Sequence, residues 1–181
     1  MRGSAVQVGV GDILATRGDG FGSKAIRLGA ALEDEPNTVN HICVIHHIDN
    51  VGTIWGIEGR PGGVGYVDTR KYLENPYTIT NAEQPKTLAQ REWIAQKSTS
   101  MLGTPYDWQA IADDACIALL KRNFIWTMRD FGDEPPAQVV CSSFAVWLNH
   151  HAGLAYPDQH GERSTTPADW VDWIIRKGWI K

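Results

Sequence analysis

The sequence predicts an α+β fold in which an antiparallel sheet packs on helices. Three observations carry this. Segments rich in β-branched residues fill the first half of the chain, and helix-periodic segments fill the second. The chain has 181 residues, close to one domain's worth, with no internal repeat or low-complexity linker. Residues 1–181 are therefore read as a single domain.

The elements follow in order. Residues 12–16 form a short apolar run after Gly11, the first expected strand. A short helix is expected over 23–32, followed by an acidic, Pro-containing loop at 33–37. Residues 39–48 and 53–57 are rich in β-branched side chains. Asp49-Asn50-Val51-Gly52 between them supplies turn chemistry, so the pair reads as a hairpin. Residues 64–67 and 77–80 add two further strands. The pattern then changes. Residues 87–102 open with Thr-x-x-Gln, a capping-box pattern, and stop at Gly103. From Asp107 onward Trp108, Ile111, Ala112, Ala115, Cys116, Leu119 and Leu120 fall on one helix face. A loop with Gly132, Pro135 and Pro136 spans 129–137. A third helix starts near Cys141 and ends before Gly153. A fourth starts at Thr166 with Pro167 at its first position.

Composition narrows the function. Hydrophobic residues make up 43% and charged residues 21%, the balance of an ordinary globular chain. A formal net charge of -4 gives no electrostatic reason to expect nucleic acid, and it disfavours an anionic membrane surface. No apolar run approaches the roughly 18 residues that span a bilayer. The first residues do not read as a signal peptide, so a cytoplasmic location as made is expected. The three cysteines, Cys43, Cys116 and Cys141, have no disulfide-framework spacing, and a reduced compartment is expected. The eight tryptophans are expected mainly in the core.

Cys141 is the candidate nucleophile. It follows Val139-Val140 and precedes Ser142-Ser143-Phe144, at the start of the third helix. Free backbone N–H groups and the helix dipole stabilise an anion there, and they can also hold the oxyanion of a tetrahedral intermediate, with Ser142 adjacent. The competing reading is a buried, inert cysteine, the commoner fate of a lone thiol.

A thiolate needs a neighbouring imidazole, and the imidazole needs a group that fixes its tautomer. Six histidines are available. His46 and His47 fall near the end of a strand, His150 and His151 end a helix, and His160 lies in a loop. The hairpin favours His41. Strand side chains alternate, so His41, Cys43 and Ile45 share a face. With the turn centred near Asn50, Glu58 falls opposite or diagonal to His41 on that face, where it accepts the second imidazole N–H. A slip of one residue puts Glu58 on the wrong face and leaves it a solvated rim carboxylate. A rival constellation is a metal site of His41, Cys43, His46 and His47. The sequence has no CxxC, HxxxH or second cluster at zinc spacing, so neither metal nor cofactor is expected.

These residues resemble a family, the NlpC/P60 cysteine peptidases and their circularly permuted relatives. Leu102-Gly103-Thr104-Pro105-Tyr106-Asp107-Trp108 is similar to the family's Leu-Gly-Thr-Pro-Tyr-x-Trp motif. Val140-Cys141-Ser142-Ser143-Phe144 is similar to its Asp-Cys-Ser-Gly-Phe motif, and Gly153-Leu154-Ala155-Tyr156-Pro157 to its Gly-x-x-Leu-Pro stretch. In the usual order a Gly-Asp-Leu strand and a His-Val-Gly-Ile strand come after the cysteine. Here 40 residues follow Cys141 and contain neither. Gly11-Asp12-Ile13-Leu14 and His41-Ile42-Cys43-Val44-Ile45 come first instead, as in the permuted arrangement. The chain departs from the pattern at Val140, Ser143 and Asn40, departures that bear on substrate specificity.

The resemblance implies a papain-like, circularly permuted NlpC/P60 fold with Cys141 as nucleophile, His41 as base and Glu58 as third polar residue. It implies that Tyr106 lines the site and helps hold the oxyanion. The implied activity is a cysteine amidase or endopeptidase acting through an acyl-enzyme on peptide or muropeptide bonds of the bacterial cell wall. Without a signal peptide, such an enzyme is delivered by another route, as a phage lytic or tail-associated hydrolase is. Two alternatives stand beside it. Permuted members also resemble lipid-ester acyltransferases and phospholipases, and a binding or structural subunit could keep the fold without the chemistry.

Overall fold

A computed structural model describes residues 7–18, 39–111, 134–157 and 165–179. The expected helix over 23–32, the loop over 33–37, most of the helix after Asp107, and Cys116 and His160 lie outside the described residues. Residues 108–111 are helical, and 134–137 belong to neither helix nor strand.

The architecture is α+β. Five strands, β1 (Ile13–Thr16), β2 (His41–Ile48), β3 (Ile54–Arg60), β4 (Gly63–Asp68) and β5 (Ile79–Thr80), form one antiparallel sheet in the order β4-β3-β2-β1-β5. Helices α1 (Arg70–Leu73), α2 (Leu88–Ser100), α3 (Cys141–His151) and α4 (Pro167–Arg176) complete the described elements. Among the described residues, no helix is long and apolar enough to cross a membrane.

Alternation along the strands gives the sheet two apolar faces. Ile13, Ala15, Ile42, Val44 and Ile57 pack against Phe144, Ala145, Trp147 and Leu148 of α3 and Trp170 and Ile174 of α4. Leu14, Cys43, Ile45 and Val67 form a second cluster on the other face with Val8 and Tyr72. Helix α3 is buried at every position from Cys141 to Asn149. A helix buried on every side, here with Phe144, Ala145, Val146, Trp147 and Leu148 at its centre, belongs in the middle of a core. Truncating Phe144 or Trp147 to Ala there would cost about 3–5 kcal/mol.

The helix starts follow from local chemistry. Thr87 caps α2 as its sequence pattern predicts: its hydroxyl accepts from Gln90 N–H at 3.2 Å, and Gln90 Oε1 accepts from Thr87 N–H at 2.9 Å. Thr166 and Asp169 form a second capping box in front of α4, with Pro167 at its first position. Met101 follows α2, and Gly103 takes φ +82° in the turn beyond it. A buried ion pair, Lys86 Nζ to Asp12 Oδ1 at 2.9 Å, ties the approach to β1 to the approach to α2.

Three expectations are corrected. The strand expected over 53–57 runs on to Arg60, because Val64 and Gly63 of β4 pair with Gly59 and Arg60. The strand expected over 77–80 is reduced to Ile79–Thr80, since Asn75 turns the chain through Thr78 N–H and Tyr77 N–H. The hairpin turn centres on Val51 rather than Asn50, with Ile48 opposite Ile54 and Gly52 at φ +84°.

Candidate active site

The β2–β3 register places the first two site residues. At the hairpin end His47 faces Trp55 and Ile48 faces Ile54. A β-bulge between Ile45 and His47 then moves the register by one, so that Ile45 faces Gly56 and Val44 faces Ile57. Without the bulge Glu58 would fall opposite Val44, on the face away from His41. With it, Glu58 shares the face of His41 and Cys43. His41 Nε2 lies 2.8 Å from Glu58 Oε2.

Helix α3 places the third. Its hydrogen-bond ladder opens with Phe144 N–H donating to Val140 O at 3.0 Å, which leaves Cys141, Ser142 and Ser143 N–H without intrahelical acceptors. The Ser143 hydroxyl accepts from Val140 N–H at 3.1 Å and donates to Val140 O at 3.2 Å, taking the place of an ordinary N-cap side chain. The helix start presses on Gly59: a Cβ built there would lie 3.3 Å from Cys141 N and 3.3 Å from Val140 C. Gly59 thus admits the cysteine's backbone next to Glu58. Cys141 lies near enough to His41 for its charge and side chain to act on the imidazole, whose other partner is Glu58. With Nε2 given to Glu58, Nδ1 is the ring nitrogen left for the thiol.

The electrostatics favour an ion pair. Burial acts to lower the pKa of His41, but the charge of and hydrogen bond to Cys141, together with those of Glu58, outweigh it and push it up to about 10. Burial acts to raise that of Glu58; the His41 bond and charge, the Tyr72 bond and the Lys71 charge overcome it and hold the carboxyl below its ordinary range. Burial, then the Glu58 charge, raise the Cys43 thiol well above its ordinary value, which keeps it an unreactive thiol.

Tyr72 belongs to this site and was not foreseen from the sequence. Its hydroxyl donates to Glu58 Oε2 at 2.8 Å, the same oxygen that His41 uses. Its ring lies 5.7 Å from the imidazole, and the Lys71 ammonium sits 4.5 Å above it. Burial and the Glu58 charge raise its pKa, so it remains a donor. The short helix α1 carries it over the sheet; four residues give too little periodicity to stand out in a sequence.

The other expected residues fall as follows. Tyr106 is buried, bridges to Val139 two residues before Cys141, and packs edge-on against the exposed Trp108 at 5.1 Å. Ser142 is buried too, its carbonyl accepting from Trp170 Nε1 at 3.4 Å, so its main-chain N–H is what it offers at the helix start. Cys141 is 1% exposed and the His41 side chain 14%, so the site opens on the imidazole side. The rival metal grouping does not converge. His41 is engaged by Glu58, Cys43 is sealed under Gly56, and His46 and His47 pair with each other past the bulge. Among the described residues no group of three or more His, Cys, Asp or Glu is placed to hold a metal ion.

No protein-family model matches the chain, and no curated protein matches it. Among solved structures it is similar to the crystal structure of metalloprotein yiiX from Escherichia coli O157:H7, DUF1105, with a TM-score of 0.56 and 17% identity, over 95% of this chain and 83% of that one. A likeness at that identity bears on the fold alone.

Proposed function

We propose that the protein is a cysteine hydrolase of the papain-like, circularly permuted NlpC/P60 type, cleaving amide bonds by a Cys141–His41–Glu58 mechanism. One observation carries this reading: a cysteine at the first turn of a buried helix contacts a histidine whose other nitrogen is held by a carboxylate. Nucleophile, base and orienter in contact are what acyl transfer requires. The chain order supports the permuted arrangement, since the strand bearing His41 precedes the helix bearing Cys141.

The chemistry follows from the geometry. The Cys141 thiolate attacks the scissile carbonyl carbon, and the free N–H groups of the α3 start stabilise the resulting oxyanion. The His41 imidazolium gives its proton to the leaving amine as the C–N bond breaks, which leaves a thioester. His41 then takes a proton from water, the hydroxide attacks the thioester, and the tetrahedral intermediate collapses to a carboxylic acid and the Cys141 thiolate, which restores the starting thiolate and imidazolium. Glu58 keeps the imidazole in one orientation throughout, and Tyr72 keeps Glu58 in place.

The substrate class we assign is a peptide of the bacterial cell wall, reached by a delivery route such as a phage particle. Incubation with purified muropeptides and, in parallel, with a lipid ester tests both levels. Release of new amino groups from muropeptides, lost in Cys141→Ala, is the expected result. Turnover of the lipid ester alone would reassign the substrate. No Cys141-dependent turnover of either would overturn the hydrolase reading.

A further inference from the structure

The bulge in β2 has a second consequence. Neighbouring residues on a regular strand point to opposite faces. His46 and His47 do not: their Nδ1 atoms lie 2.7 Å apart, and their rings meet edge to face at 5.0 Å and 85°. A bulge re-aims side chains in this way.

Each ring is held from behind. His46 Nε2–H donates to Ala95 O at 3.1 Å and lies 2.8 Å from Thr99 Oγ1. A proton on Nε2 leaves the lone pair of a neutral imidazole on Nδ1, facing His47. His47 stacks on Trp55 at 6.1 Å and 12°, and Trp55 is itself anchored through Nε1 to Asp49 Oδ2 at 3.0 Å. Tyr66 stands edge-on to both imidazoles. A histidine whose far nitrogen is bonded to a backbone carbonyl is oriented as metal-ligating histidines are.

We propose that His46 and His47 form a two-imidazole site for a divalent transition ion bound through both Nδ1 atoms, with water completing the coordination sphere. On binding, the proton that His47 shares with His46 moves to His47 Nε2, and both lone pairs turn to the ion. The spacing selects among ions. With metal–nitrogen bonds of about 2.0–2.1 Å, two nitrogens sit about 2.9 Å apart at a right angle and about 3.3 Å apart at the tetrahedral angle. The pair therefore opens by only about 0.2 Å for the right-angle geometry of Ni(II) or Cu(II). This site is separate from the Cys141 site and does not depend on the hydrolase reading.

Ni(II) titration by calorimetry into untagged, full-length Cys141→Ser protein tests it without the site thiol. One equivalent is expected. Binding should weaken at least about tenfold in His46→Gln and in His47→Gln, since even outer-shell changes cost that much, and it should be unchanged in the His150→Gln/His151→Gln double variant. Absence of saturable Ni(II) binding overturns the proposal, and so does binding that survives both single variants. Because either substitution could disturb β2, a second measurement uses the intact histidines. Substoichiometric Cu(II) should broaden the His46 and His47 ring NMR signals before those of His150 and His151, and the reverse order overturns the site.

Discussion

Glu58 Oε2 accepts from two donors 2.8 Å away, His41 Nε2 and the Tyr72 hydroxyl. One oxygen thus fixes the imidazole and is itself fixed. Hydrogen bonds to a charged group contribute about 1.5–3 kcal/mol each. Tyr72→Phe removes one of them and leaves the ring in place. We expect kcat to fall about tenfold or more with little change in KM, because Tyr72 acts through Glu58. Glu58→Gln should cost more, about 10²–10⁴-fold, the usual range for losing organised acid–base catalysis. Kinetics on whichever substrate is turned over decide this. A Tyr72→Phe protein with unchanged kcat would make Tyr72 a packing residue only.

Cys141 and Cys43 are both buried, yet their surroundings differ in kind. Cys141 meets an imidazole and a helix start, whereas Cys43 meets Glu58 across the strands and the backbone of Gly56. A small electrophile such as iodoacetamide near pH 7 should therefore modify Cys141 and spare Cys43. His41→Ala should slow the labelling of Cys141 at least about tenfold, since the thiolate loses its partner. Peptide mass mapping reads the sites. Labelling of Cys43 at the same rate would break the link between geometry and reactivity.

Much of this was legible in the sequence, and for identifiable reasons. Two-residue alternation and the Asp-Asn-Val-Gly turn marked the hairpin, and Cys141 stood out by its place between an extended Val-Val pair and a helix. Glu58 reaches the expected face by a different register: the turn centres on Val51 rather than Asn50, and the bulge at His46 then brings Glu58 opposite Cys43, on the face of His41. A bulge leaves no periodic signal, so neither it nor the pairing of His46 with His47 could be read from spacing. Tyr72 was hidden because a four-residue helix has no face to detect.

Gly59 is required by the approach of α3. A Cβ at that position would lie 3.3 Å from Cys141 N, in contact with backbone that cannot rotate away. Gly59→Val should force the helix start outward, costing about 1–3 kcal/mol as overpacking does. Activity should be lost beyond what the stability change explains, since Cys141 moves with the helix while His41 stays on β2. Thermal denaturation and turnover of the variant, measured below its midpoint, separate the two effects. A Gly59→Val protein with wild-type kcat would show that the contact does not set the position of Cys141.

The raised pKa of His41 fixes the direction of a pH dependence. In the unfolded chain an imidazole titrates near 6.5; in the folded protein, burial notwithstanding, Cys141 and Glu58 push it up to about 10. A group whose pKa is raised by folding contributes stability that is fully present below its unfolded value and is lost as pH rises through its folded one. The His41 contribution should therefore be complete below about pH 6.5 and drain away between there and about 10. Cys141→Ala removes the first of the raising causes, so its thermal midpoint should fall less steeply over that window than the wild type's. Hydrolysis should follow the same group: with imidazolium as the acid for the leaving amine, kcat should hold through neutral pH and decline as pH approaches 10. Alkylation of Cys141 should not decline there, since it needs the thiolate but no proton donor. Parallel pH profiles of turnover and alkylation that fall together above pH 9 would remove His41 from the role of proton donor.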